Sequence, residues 1–259
     1  MKDTVIMEKK EQIGIVKINR PEAYNAFDLE TITHLGRAFL ACSLDDSIWG
    51  LVLTGVGKAF CVGGDLKWIS THKENYGDAF YELAAIYHQA ILEIRRMPKP
   101  VVAAVNGLAA GGGFSMALAC DFRIMESSAF LRQAYTSNGL SIDGGGTFTL
   151  PRIVGMARAM EIAVFDPTIS ADKALEWGLV TEVVEDGQGV EAAVELVRKI
   201  SSGALFPFRA SKKLINDSFS SSFEVQLEQE RRWLARCADH AHGREGIKAF
   251  LEKRKPEFA

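Results

Sequence analysis

Cysteine is scarce in this chain. Four occur, Cys42, Cys61, Cys120 and Cys237, with no C-x-x-C pair among them. That spacing argues against a disulfide framework or a cysteine zinc site and fits a reducing compartment. No window approaches the roughly 20 uninterrupted apolar residues that a membrane-spanning helix needs. The opening MKDTVIMEKK lacks the apolar core of a secretion signal and passes straight into strand-like alternation. A cytoplasmic location is therefore expected. Positive charge is not in excess: 30 Lys and Arg stand against 33 Asp and Glu, a net charge of −3. No global field draws nucleic acid, and an anionic ligand would need local positive groups. The histidines, His34, His72, His88, His240 and His242, have no cysteine or carboxylate cluster at ligand spacing, so no metal is expected. Internal repeats and low-complexity runs are also missing.

What is present is bulk. The chain has 259 residues, 47% of them hydrophobic, enough for one large domain or a domain with an appendage. Segments 4–8 and 13–19 read as paired strands. Asp28 is a plausible N-cap for a helix to about Cys42. Residues 50–54 form a short apolar strand, 55–64 a loop, and 65–69 a helical turn. Phe80, Leu83, Tyr87, Ala90, Ile91 and Ile94 recur at helical spacing, ahead of a stop at Met97-Pro98. Residues 121–126 and 179–184 read as strands, and 129–146 as loop. Residues 147–165 read as a helix interrupted at Pro151, and 170–177 as a short helix stopped by Gly178. After Glu185 only helices follow, over 189–200, 204–218, 222–239 and 243–254. Ser221 with Glu224 resembles a capping box before the third of these. Strands alternating with helices give an α/β class. The uneven spacing suits stacked ββα turns of a spiral better than a regular barrel. The helical tail is either a cover for its own core or an oligomerisation module.

The stretch 101–121, VVAAVNGLAAGGGFSMALACD, organises the rest. An apolar β-branched run reads as a buried strand. Gly111-Gly112-Gly113 then precedes a short apolar helix. Glycine lets backbone approach a ligand closely, and the first amides of a helix lack partners and favour negative charge. The place suits charge that appears only during a reaction. Other glycine readings fail on spacing. Gly57-Lys58 is followed by Ala59 rather than Ser or Thr, which breaks a P-loop. Met116 stands where a dinucleotide fingerprint needs glycine.

Six segments together resemble the crotonase (enoyl-CoA hydratase/isomerase) superfamily. They are NRPEAYNAF at 19–27, LVLTGVGKAFCVGGDL at 51–66, KPVVAAVNGLAAGGG at 99–113, DGGGTFTLPRIVGMARAME at 143–161, SADKALEWGLV at 170–180 and EGIKAFLEKRKPEF at 245–258. The DGGGTFTLPR segment and the tail are most similar to the ring-opening isomerase type of the phenylacetate pathway. The resemblance implies a crotonase-like α/β fold: a ββα spiral core over residues 1–200 that binds and transforms acyl-CoA, and a C-terminal helical trimerisation region over 201–259. It implies a homotrimer or a hexamer built as a dimer of trimers. It implies coenzyme A as part of the substrate, with no separate cofactor and no metal.

Site residues follow from the same resemblance. The backbone N–H groups of Gly64 and Gly112 would form an oxyanion hole for a thioester oxygen turning into an enolate, although both glycines could equally serve tight turns. Asp143 would be the proton-moving acid, with apolar neighbours raising its pKa, or else a cap for the helix that follows. Ala23 and the Gly64, Asp65, Leu66, Lys67 run would hold the adenine and pantetheine of the substrate, with Asp65 also suited to a helix cap. Phe250 and Lys253 would reach the site of a neighbouring subunit, unless Lys253 simply lies on a solvated face. Cys61 reads as a small buried hydrophobe rather than a nucleophile.

One departure from the family pattern matters most. Hydratases use two glutamates, and the aligned positions here hold Ser115 and Tyr135, neither ionised at neutral pH. Tyr135 either lines the acyl pocket or packs the core. An acyl-CoA isomerase is expected first. The alternatives are an enoyl-CoA hydratase lacking the glutamate pair, a hydrolase or dehalogenase with nucleophilic Asp143, and a non-catalytic binding member of the fold. Neither nucleic acid nor membrane is an expected partner. The acyl group is expected to be selected by 70–78 and 129–142 folding over the pocket.

Overall fold

A computed structural model describes residues 3–72 and 75–258. In order, β1 is Val5–Lys10, β2 Ile13–Ile18, α1 Leu29–Leu44, β3 Gly50–Gly55, β4 Ala59–Cys61, α2 Leu66–Ser70 and α3 Tyr76–Arg96. Then come β5 Val101–Val105, β6 Leu108–Ala110, α4 Gly112–Ala119, β7 Phe122–Glu126, β8 Phe130–Arg132 and α5 Gly146–Phe165. The chain ends with β9 Ile169–Ser170, α6 Ala171–Glu176, β10 Glu182–Val184, α7 Gly189–Ser201, α8 Leu205–Asp217, α9 Phe223–Asp239 and α10 Ala241–Leu251.

The strands divide between two sheets, one ordered β1-β2-β3-β5-β7-β10 and the other β4-β6-β8-β9. Each pass of the chain adds a strand to the first sheet, then one to the second, then a helix. β3–β4, β5–β6 and β7–β8 are three such passes, and the strands they add to each sheet run parallel. This is the ββα spiral. It is also why strands as short as β4 and β6 exist: each needs only to cross the narrow second sheet.

The first sheet is apolar on both faces, as a parallel sheet covered by helices must be. Leu51, Leu53, Val101 and Ala103 face the large core with α1, α3 and α4, while Val52, Val102 and Ala104 alternate to the other side under Val194 and Val197 of α7. α8 is tied to this body by one buried cation. Lys212 Nζ donates to the carbonyls of Ile94 and Lys99 and pairs with Asp121 at 2.7 Å.

Several local expectations change. The loops at 55–64 and 129–146 contain strands β4 and β8, and β6 follows directly on the Asn106-Gly107 break. Such three-residue strands show no periodicity to read. Pro151 does not interrupt α5; the break is at Gly155, whose φ of 77° and ψ of 163° lie outside the helical region. The N-cap of α9 is Ser222, whose hydroxyl accepts from the Val225 N–H, not Ser221, which donates instead to the Asp217 carbonyl. α4 starts at Gly112, so the glycine triplet belongs to its first turn rather than preceding it. The segment 70–78, expected to shape the pocket, includes residues 73 and 74, which lie outside the described residues.

Candidate functional site

Parallel pairing of β4 with β6 brings the residues after each strand to one place. There the loop after β4 touches the start of α4. A Cβ on Gly63 would stand 2.6 Å from the Gly112 nitrogen, so only glycine fits, and its φ of 88° suits glycine as well. Gly64 is bridged in parallel to Phe27. The bridge uses the Phe27 N–H, donated to the Gly63 carbonyl at 2.9 Å, and the Asp65 N–H, donated to the Phe27 carbonyl at 2.8 Å. The Gly64 N–H is thus turned out of the ladder. The Gly112 N–H, at the first helical position, has no acceptor inside its own helix.

Beside these loops lies a cavity of about 440 Å³. Its wall includes Gly64, Phe27, Phe80, Leu83, Tyr87, Tyr135 and Asp143. Gly112 is not itself in the wall, but two wall residues touch it: the Phe27 ring packs against it and the Tyr87 hydroxyl donates to its carbonyl. Among the described residues the lining is mostly apolar and aromatic with one carboxylate, a composition usual for small-molecule sites.

Asp143 sits on the loop before α5. That helix has Gly145 as its N-cap and no side-chain cap, so the Asp143 carboxylate is not used for capping. It is about a third exposed, at 36%, and accepts a hydrogen bond from His88 Nε2 at 2.6 Å in the orientation that makes the ring nitrogen the donor. His88 comes from the middle of α3, one residue beyond the buried Tyr87. The sequence carried no signal for this contact, because helical periodicity marks position 88 only as a flank of the buried face.

Of the two positions that the resemblance sets against hydratase glutamates, one lies inside the core and the other, Tyr135, is partly buried in the cavity wall. Ser115 is fully buried in α4. The Tyr135 phenol is pushed well above its ordinary pKa, chiefly by burial and then by the nearby Asp143 charge, so it stays neutral. Ser115 Oγ and both polar atoms of the Gln133 amide are buried without a hydrogen-bond partner among the described residues. Cys61 is fully buried and its thiol is pushed up to about 12 by burial, which leaves it inert.

The residues expected to hold a nucleotide tail divide into two groups. Ala23 lies in a short helical turn, Pro21–Ala23, and Leu66 and Lys67 open α2. Arg20 ties these segments together, pairing with Asp65 at 2.9 Å and donating to the Ala26 carbonyl at 2.6 Å. Asp65 in turn caps α2 by accepting from the N–H groups of Lys67 and Trp68. Arg20 and Asn25, whose amide bonds to the carbonyls of Val56 and Ala59, are the structural reason for the NRPEAYNAF segment. Phe250 and Lys253, at the far end of the chain, are not brought to this cavity; Phe250 is 83% exposed. Among the described residues, no group of three or more His, Cys, Asp or Glu is placed to hold a metal ion, and no helix is long and apolar enough to cross a membrane.

Residues 8–259 match the family model for enoyl-CoA hydratase/isomerase. The chain is 34% identical to the 1,2-epoxyphenylacetyl-CoA isomerase of Escherichia coli (strain K12), over 100% of this chain and 99% of that protein. It is 30% identical to the 4-chlorobenzoyl coenzyme A dehalogenase-2 of Arthrobacter sp, over 96% of this chain and 91% of that one. Among solved structures, an enoyl-CoA hydratase from Polaromonas sp. JS666 superposes with a TM-score of 0.93 at 35% identity, covering 98% of this chain and 99% of that one.

Proposed function

The chain belongs to the enoyl-CoA hydratase/isomerase family, and from that premise we propose that it is an isomerase of enoyl-CoA thioesters. In this reading the thioester oxygen accepts from the N–H groups of Gly64 and Gly112. Asp143 removes a proton from a carbon conjugated with the carbonyl. Negative charge then collects on the oxygen, where each fixed donor contributes about 3 kcal/mol of transition-state stabilisation. Asp143 returns the proton to another carbon of the same system, and the double bond has moved with no atom gained or lost. The backbone around Ala23 and Gly64 to Lys67 holds the nucleotide and pantetheine, and Phe250 and Lys253 serve the cavity of a neighbouring subunit.

The observation that carries the reading is that, among the described residues, Asp143 is the single carboxylate in the cavity wall, with neutral Ser115 and Tyr135 at the positions that the resemblance sets against the hydratase glutamates. Adding water across a double bond calls for an acid and a base acting together. Moving a proton within one substrate calls for one group that does both in turn. The test supplies 2-enoyl-CoA and 3-enoyl-CoA separately. Interconversion without a hydroxyacyl product is expected, with Asp143→Asn lowering kcat roughly 10²- to 10⁴-fold. Net water uptake, or full isomerase activity in Asp143→Asn, would reject the assignment.

The contact between His88 and Asp143 favours a second reading. A carboxylate can attack an electrophilic carbon and expel a leaving group, forming an ester, and an adjacent imidazole can activate the water that cleaves it. In that case a halogenated aryl-CoA would form an ester on Asp143 that rapid quench during turnover captures before water cleaves it.

A further inference from the structure

Gly111, Gly112 and Gly113 follow one another at the start of α4, and a glycine backbone holds no conformation by itself. The Gly112 N–H is a useful donor only if something outside the helix fixes it. Two aromatic rings are placed to do so. Phe27 lies against Gly112 so closely that a Cβ there would stand 2.9 Å from the ring. Tyr87, from the middle of α3, stacks on Phe27 with ring centroids 4.8 Å apart. Its hydroxyl donates to the Gly112 carbonyl at 2.5 Å. Phe27 is in turn bridged to the Gly63 to Asp65 loop. The same Tyr87 hydroxyl also packs against the backbone of Gly144, next to Asp143. One fully buried phenol therefore touches the start of α4, the ring linked to the other glycine loop, and the turn that carries the acid.

We infer that Tyr87 is a positioning residue that sets the Gly112 N–H against the Gly64 N–H, with its hydroxyl as the latch and Phe27 as the link between the loops. The inference rests on the oxyanion-hole reading given above. Burial keeps the phenol well above its ordinary pKa, so it stays a donor across the working range of pH. Tyr87 acts through Gly112 rather than on the reacting atoms. Removing its hydroxyl should therefore weaken the hold on an enolate more than the hold on the rest of the ligand.

Two variants test this, Tyr87→Phe and Phe27→Leu. The probes are acetoacetyl-CoA, whose enolate has its own near-ultraviolet band, and coenzyme A alone. In Tyr87→Phe the bound enolate fraction should fall about tenfold and kcat roughly 10- to 100-fold, as expected for a donor shifted rather than deleted. KM and coenzyme A affinity should stay within about twofold, and the thermal midpoint should still mark a folded protein. Phe27→Leu keeps the hydroxyl but removes the stacked ring, and should lower the enolate band in the same direction. A purely structural Tyr87 would lower the midpoint and leave the enolate fraction untouched. Retention of the wild-type band and kcat in Tyr87→Phe overturns the inference. A wild-type protein without the band overturns the oxyanion reading itself, and this inference with it.

Discussion

Asp143 and His88 meet from elements 55 positions apart, one on a loop set by glycines and the other on a long helix. The sequence exposed the first because DGGGTFTLPR is a local pattern, and local patterns survive in one dimension. It hid the second because a helix flank has no spacing of its own. Ser115 and Tyr135 were legible as departures and as neutral groups, whereas the burial that lifts the Tyr135 phenol further above its ordinary pKa was not. The contact yields a prediction that separates the two chemical readings. If Asp143 only shuttles a proton, His88 orients it, and His88→Gln should lower kcat about tenfold with no covalent species formed. If Asp143 is a nucleophile, His88→Gln should strand the ester. Intact mass after rapid quench of the variant with each class of thioester would reveal an adduct on the chain or its absence.

At the level of elements, long helices and apolar strands were readable because each carries its period over many residues. α3 was placed correctly from six apolar positions, and its C-terminal stop from Met97-Pro98. β4, β6 and β8 were not readable, since three residues are too few to show alternation. The pairing of β4 with β6 is nonetheless what brings Gly63 against Gly112. The break in α5 fell at Gly155 rather than Pro151, because a φ of 77° ends a helix whatever its neighbours prefer. α10 and the segment after it are joined by charge. Glu245 accepts from Arg254 at 2.6 Å and from the Glu257 N–H at 2.9 Å, and these contacts, that of Arg254 first, hold its carboxyl down at about 2, against 4.5 ordinarily. A lowered carboxylate stabilises the fold fully above about 4.5 and loses that contribution as pH falls through about 2. Protection of the Glu257 amide from hydrogen exchange should therefore decline across that window. In Glu245→Gln it should be low already at neutral pH; unchanged protection there would mean that the carboxylate does not hold the segment.

At the scale of the molecule, the sequence separated an α/β body from a helical tail but left open whether the tail covers its own core or another chain. α9 has no buried residue, although Phe223 and Leu234 are 72% and 73% exposed. Leu227 and Val225 on the same helix are about half exposed, and Ile247, Phe250 and Leu251 of α10 are exposed as well. An amphipathic helix owes most of its stability to the surface that its apolar face meets, and contiguous apolar patches on soluble proteins mark contacts. Closed symmetric rings are the economical way to bury one such patch on every copy. A self-associated protein is therefore expected, and the family resemblance points to threefold symmetry. Light scattering at micromolar concentration should give a mass near a multiple of three chains of 28.4 kDa each. Leu234→Glu with Leu227→Glu places two carboxylates on the face of α9, far in sequence from Asp143 and the glycine loops. The pair should shift the mass toward one chain while circular dichroism stays helical. If Phe250 and Lys253 serve a neighbour's cavity, the dissociated variant should also bind coenzyme A roughly tenfold more weakly, in line with the loss of one charged and one aromatic contact. A wild-type mass of a single chain, with the same affinity in the variant, would mean that the tail acts within its own subunit.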